Sequence, residues 1–210
     1  MTADELNHAL RQLRLGGMAD TLSVRAQQAR ADNLGPLDFL SLLIHDELER
    51  RRDRLVARRI KNAAFRDITT LDTFNWSFNP TIDRALIFEL ATGRFIERRE
   101  DALILGNPGT GKSHIAQAIG MAAIHGGFHV LYRAAHKLFE DLVLAEACGE
   151  REQAIATLCE IPLLILDLCV VVSYVELSDR TLIYPGFQRL RLHISNAGIP
   201  APAYHRLRRR

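Results

Sequence analysis

Leu6, Leu10 and Leu13 recur at spacings of four and three within DELNHALRQLRL, the rhythm of one helical face, and Gly16-Gly17 is expected to stop that helix. A weaker helix is predicted in MADTLSVRAQQARADN, ending before Leu34-Gly35-Pro36. The strongest pattern runs from about Asp38 to Asn62, where Leu40, Ile44, Leu48, Leu55 and Ile60 can share an apolar side and Asp38 is placed to cap the helix. Residues 1–66 are therefore expected to form a helical N-terminal region. The stretch TTLDTFNWSFNP that follows has the aromatic and turn residues of an ordered loop.

Beyond Ile82 the rhythm changes. DRALIFELATG reads as a helix ended by Gly93, DALIL as a short strand, and KSHIAQAIGMAAIHGG as a helix ended by Gly126-Gly127. FHVLYR (strand), HKLFEDLVLAEA (helix) and PLLILD (strand) continue the alternation. Continuously apolar strands separated by helices predict parallel βαβ units buried on both faces, an α/β fold over residues 67–167.

Composition adds limits. With 210 residues, 48% of them hydrophobic, the chain can bury a core, and no run of about 18 apolar residues free of charge exists to span a membrane. Cys148, Cys159 and Cys169 are odd in number and lack CxxC spacing, which argues against a disulfide framework or a zinc site and fits a reducing cytoplasm. The net charge of +2 hides an asymmetry, because residues 168–210 hold seven Arg, no Lys and two acids. Residues 1–167 carry 20 basic and 23 acidic groups, so only local clusters can argue for nucleic acid.

The sharpest chemical signal is GNPGTGKS, Gly106 to Ser113, which fits G-x-x-x-x-G-K-[ST] between a predicted strand and a predicted helix. A chance match in a chain this long is on the order of one in a hundred. Gly106, Gly109 and Gly111 let the backbone curl through Asn107, Pro108 and Thr110 so that successive N–H groups face a phosphate. Lys112 can reach the terminal phosphates of ATP, the Ser113 hydroxyl can bind Mg²⁺, and His114 continues the helix beside them. Asp167 then explains itself: a lone carboxylate closing the apolar run PLLILD has the place of a magnesium-shell aspartate on a second strand. The plainer account is an aspartate that caps a turn. For Phe74, Trp76 and Phe78 two duties stand open, a wall for an adenine ring or packing of the helical region onto the sheet.

The segments LRLGGMADTL, ELERRRDRLVARRIK, FNWSFNPTIDRALIFELATGRFI, LILGNPGTGKSHIAQAIG and PLLILD, in that order, resemble the IstB-type transposition helper ATPases, AAA+ proteins similar to the DnaC helicase loaders. The likeness covers roughly residues 5 to 167. It implies a P-loop NTPase of the AAA+ type that binds ATP and Mg²⁺, assembles as a homo-oligomer on DNA and directs a transposase to its target. In that light Arg50, Arg54, Arg58 and Lys61, at i, i+4, i+8 and i+11 on the third helix and joined by Arg51, Arg52 and Arg59, form a basic stripe suited to DNA phosphates. The alternative is a solvated face with Asp46–Arg50 and Glu47–Arg51 pairs.

The likeness stops after Asp167. Family members place a second acid there to orient the attacking water, and position 168 is Leu. Ile194-Ser195-Asn196 echoes a polar sensor, but the intervening sequence lacks a convincing strand–helix–strand pattern. These features predict an incomplete core, impaired hydrolysis and a change of reading frame just after Asp167; a divergent C-terminus is the other account of the tail. Competing readings are a non-catalytic nucleotide-binding adaptor, a DnaC-like loader and a small-molecule kinase. The last is disfavoured by the hundred or so residues ahead of the loop.

Overall fold

In the computed structural model, residues 2–80 and 82–168 are described in full and residues 191–195 by their backbone. The chain divides into two compact units, Met1–Arg58 and Arg59–Arg210. Among the described residues no helix is long and apolar enough to cross a membrane.

The first unit holds α1 (Ala3–Gln12), α2 (Gly16–Ala31) and most of α3 (Pro36–Ala63), which runs on into the second unit. Thr2 and Glu5 close a capping box on α1, satisfying two N–H groups that the helix itself cannot. Gly16 and Gly17 do not end α1, as the sequence suggested; they open α2, and Arg14 makes the turn with φ 58°. The reason is a close approach. A Cβ on Gly17 would lie 2.8 Å from both the Glu47 Cα and its Oε2, so this turn of α2 needs a residue without a side chain. Asp38 likewise lies in the first turn of α3, which starts at Pro36, a residue suited to a first helical position because it has no N–H to leave unpaired.

The core of this unit joins Met18, Leu22 and Leu43, with Leu6, Leu10, Leu15 and Phe39 packed on it. It corrects the predicted face of α3. Leu40, Ile44 and Leu48 are exposed, and the inward side is Phe39, Leu43 and Glu47. A carboxylate on the buried stripe had broken the apolar count, leaving the outward leucines to mimic a core pattern.

The second unit is built as parallel βαβ. After α4 (Arg84–Ala91) and the single turn α5 (Arg94–Glu97) come β1 (Ala102–Leu105), α6 (Lys112–His125), β2 (Val130–Ala134), α7 (Ala135–Ala147), α8 (Arg151–Cys159), β3 (Leu163–Leu168) and β4 (Arg191–Ser195). The four strands are all parallel in the order β1-β4-β3-β2. The predicted strands and helices are all present, and α5, α8 and β4 are additions. REQAIATLC has no clear apolar face, and RLHIS alternates where a continuous apolar run was sought, so neither announced itself.

α6 packs against the sheet and α4, and its Ile115, Ala116, Ile119 and Ile124 are buried with Leu163 and Ile165 of β3. Gly120 marks the nearest contact, since a Cβ there would meet Ile165 Cδ1 at 2.7 Å and the Phe65 ring at 2.9 Å. β1 departs from the expectation of burial on both faces. It stands at the edge of the described sheet, and Leu103 and Leu105 are each about half exposed.

Candidate functional site

β1 delivers the chain into Gly106–Gly111, and α6 starts at Lys112, so the glycine-rich loop joins a strand end to a helix start. Gly111 is the N-cap of α6 with φ 87° and makes no side-chain capping bond, which leaves the first-turn N–H groups to an incoming anion. Only glycine fits here. Besides the left-handed φ, a Cβ would strike the Phe74 ring at 2.9 Å. Phe74 is thus the backing of the loop, buried and in edge contact with Trp76 (4.9 Å between centroids) and His114 (5.1 Å).

Lys112 is only 6% exposed, and its Nζ donates to the Asn107 carbonyl at 2.5 Å and to Thr110 Oγ1 at 3.4 Å. Thr110 Oγ1 also donates to the Asn107 carbonyl, at 2.8 Å. The ammonium is therefore folded into the loop it belongs to. Pro108 and Gly109 stand exposed at the tip, and Ser113 follows half-buried on α6. His114 turns its ring to Phe74; its Nε2 is buried and has no hydrogen-bond partner among the described residues.

Asp167 is 3% exposed near the end of β3. It pairs in register with Ile194 of β4, which pairs in turn with Ile104 of β1, two residues before the loop begins. Two strand spacings put its backbone on the order of 10 Å from that of β1. Side chains alternate along a strand, so Asp167 shares a face with Ile165, and Ile165 meets α6 at Gly120. The carboxylate is thereby on the α6 side of the sheet, with the helix that carries Lys112 and Ser113. The described residues contain no cluster of three or more His, Cys, Asp or Glu that would hold a metal alone. One carboxylate and one hydroxyl suit Mg²⁺, which keeps several waters and takes the rest of its shell from phosphate oxygens. Leu168 ends β3 and offers neither proton acceptor nor metal ligand.

A cavity of about 460 Å³ extends from the loop, lined among others by Asn79, Ile82, Leu86, Leu90, Leu103 and Lys112. Phe74, Trp76 and Phe78 are absent from its lining, so these aromatic rings do not form its wall. Phe74 supports the loop, Trp76 stacks on Phe88 of α4 beneath the Arg84 guanidinium, and Phe78 is exposed. Sequence reasoning missed Asn79 and Ile82, two residues just past the aromatics that attracted attention.

The basic stripe on α3 separates into two kinds of residue. Arg50 is paired with Asp20, and Arg51 donates to Glu47 at 2.7 Å and to the Arg14 carbonyl at 3.1 Å. Arg54, Arg58 and Lys61 are exposed and make no ion pair among the described residues. Of the two expected i, i+4 pairs only Glu47–Arg51 forms. Asp46 instead takes a two-pronged bond from Arg25 on α2, at 2.6 and 2.8 Å. The echo of a sensor at Ile194-Ser195-Asn196 falls on β4 in part; Asn196 lies outside the described residues, as does most of the tail in which a change of frame was expected.

Comparison with known proteins gives the family. The family described as IstB-like ATP binding protein matches residues 8–182. A protein of Mycobacterium tuberculosis named for ATP binding in an insertion sequence is 35% identical over 162 residues, which are 77% of this chain and 64% of that protein. One named for insertion sequence IS5376 in Geobacillus stearothermophilus is 33% identical over 164 residues (78% and 65%). Its counterpart for IS21 in Pseudomonas aeruginosa is 32% identical over 163 residues (78% and 62%). The chain thus spans a little under two thirds of the length of each of these relatives.

Proposed function

We propose, for a chain that belongs to the IstB-like ATP-binding protein family, that ATP held with Mg²⁺ at Gly106–Ser113 lets it assist transposition of an insertion sequence, acting on DNA with a transposase. The observation that carries this reading is the union of three features at one end of the parallel sheet: the uncapped start of α6, the inward-folded Lys112 and the buried Asp167. Backbone N–H groups of the loop and α6 would bind phosphate oxygens, Lys112 would exchange its bond to the Asn107 carbonyl for one to a terminal phosphate, and Ser113 and Asp167 would hold the magnesium shell. Mg²⁺, when bound, neutralises phosphate charge. The cavity beside Asn79 and Ile82 has room for the rest of the nucleotide.

Leu168 argues that hydrolysis is slow, because a leucine side chain cannot aim or deprotonate a water. Nucleotide would then act chiefly by being bound, favouring assembly of several copies on target DNA. Arg54, Arg58 and Lys61 are the side chains available for DNA phosphates, whereas Arg50 and Arg51 are engaged in the fold. Titration with a fluorescent ATP analogue, paired with a single-turnover phosphate-release assay, tests the reading. Tight Mg²⁺-dependent binding with little release is expected, and Leu168→Glu should raise the release. Absence of binding would sink it. For the DNA arm, Arg54→Ala with Arg58→Ala should weaken affinity for any duplex and flatten its salt dependence by about two contacts.

A further inference from the structure

Tyr132 lies on β2, opposite Ile165 of β3 in the sheet register, with Ala134 opposite Asp167. Residues two apart on a strand share a face, so Tyr132 and Asp167 are diagonal neighbours on one side of the sheet, a separation a long aromatic side chain can bridge. It does so: the Tyr132 hydroxyl donates to Asp167 Oδ2 at 2.5 Å. Both groups are buried, Tyr132 at 6% and Asp167 at 3% exposure. The phenol ring is held at its base by strand pairing and flanked by Phe65, 6.3 Å away between centroids.

We propose that Tyr132 is a positioning residue for the magnesium shell, acting through Asp167. The proposal rests on the reading of Asp167 as the shell aspartate. A carboxylate on a single Cβ can rotate, and a rotated one loses its aim at a metal-bound water. By engaging Oδ2, the hydroxyl fixes that rotation and leaves Oδ1 to turn toward the site. With Leu168 as the next residue, no second acid follows Asp167 on the strand to share the task. Partners that orient a metal-binding carboxylate matter nearly as much as the carboxylate; their loss typically costs 10- to 100-fold in metal affinity.

The test uses the full chain and a non-hydrolysable, fluorescent ATP analogue, with affinity measured in Mg²⁺ and again in EDTA. The ratio of the two is the readout, because damage to the fold lowers both. Tyr132→Phe, which removes one oxygen, is expected to lower the ratio by about tenfold and to leave the EDTA affinity unchanged. Should that variant fold poorly, Tyr132→Leu also removes the hydroxyl, together with the ring, and the same ratio is read on its folded fraction. Asp167→Ala separates the two ways of failing. If it leaves the ratio at the wild-type value, Asp167 is not the shell aspartate and the proposal falls with that reading. If Asp167→Ala abolishes the ratio while Tyr132→Phe keeps it, or lowers both affinities equally, the positioning role alone is overturned.

Discussion

The two units use buried charge in opposite ways. In the helical unit charges are part of the framework. Glu47 is buried, accepts from the Gly17 and Met18 N–H groups at 2.5 and 3.3 Å, and so caps α2 from thirty residues away, while Arg51 neutralises its other oxygen. Arg25–Asp46 and Arg11–Asp20–Arg50 tie the same helices together. In the α/β unit aliphatic side chains make the core, and two of the few buried polar groups, Lys112 and Asp167, sit where the strands end. Under the proposed reading, a buried charge marks function where it is not needed to complete a helix end. Glu47 completes a helix end, whereas Lys112 is bonded to its own loop and Asp167 to the Tyr132 hydroxyl of β2.

Truncation of a core residue should give the largest effect. Leu43→Ala, on the inward face of α3, is expected to cost about 3 kcal/mol of unfolding free energy in a denaturant titration, with nucleotide affinity retained by whatever remains folded. Lys112→Ala should do the reverse, reducing affinity for the ATP analogue by roughly 10- to 100-fold with little change in the thermal transition, since it removes a charge-assisted bond to phosphate. Glu47→Ala is next: about 2 kcal/mol of stability is lost because two N–H groups and a guanidinium lose their acceptor, and binding is unaffected. A variant of Glu47 that lost binding before stability would erase the contrast between the units.

Acid sharpens the same comparison. The Arg25 hydrogen bond, opposed by burial, leaves the Asp46 carboxyl below its ordinary range. Burial pushes Glu47 up, but the bonds from Arg51, Gly17 and Met18 outweigh it and hold the group low. For Asp20 too the pull of Arg11 and Arg50 prevails over burial. A carboxylate whose pKa is lower when folded stabilises the fold above its unfolded value, near 4, and that contribution disappears as pH falls through the lowered folded value. Helix content, followed by circular dichroism, should therefore hold from neutral pH down to about 5 and fall below about 4. Glu47→Gln should make the fall shallower. The smallest expected effect is at Leu40 and Ile44, where Gln should change stability by under about 0.5 kcal/mol despite their place on the predicted apolar side.

What the sequence disclosed follows from how far apart the cooperating residues are. GNPGTGKS and its flanking strand and helix are one local run, and the alternation that makes the parallel sheet repeats every few residues, so both were readable directly. The inward face of α3 was not, because Glu47 becomes comprehensible only when Gly17 is beside it. The same holds for Arg25–Asp46, where an i, i+4 rule pointed to Arg50 instead. β4 was overlooked because its alternating residues follow a long stretch without landmarks. Asp167 was legible as a charge at a strand end, but its tyrosine partner lies 35 residues earlier and no spacing rule connects them.

The lysine folded against the Asn107 carbonyl bears on selectivity among anions. An ammonium already satisfied at 2.5 Å yields only to a ligand that returns more than it displaces. A single inorganic phosphate brings one cluster of oxygens and must compete with the loop's own acceptors. A triphosphate bound as proposed would engage the N–H groups along the whole turn as well as the lysine. On the proposed reading, the bond between Lys112 and its own loop would therefore favour a polyphosphate over a single phosphate.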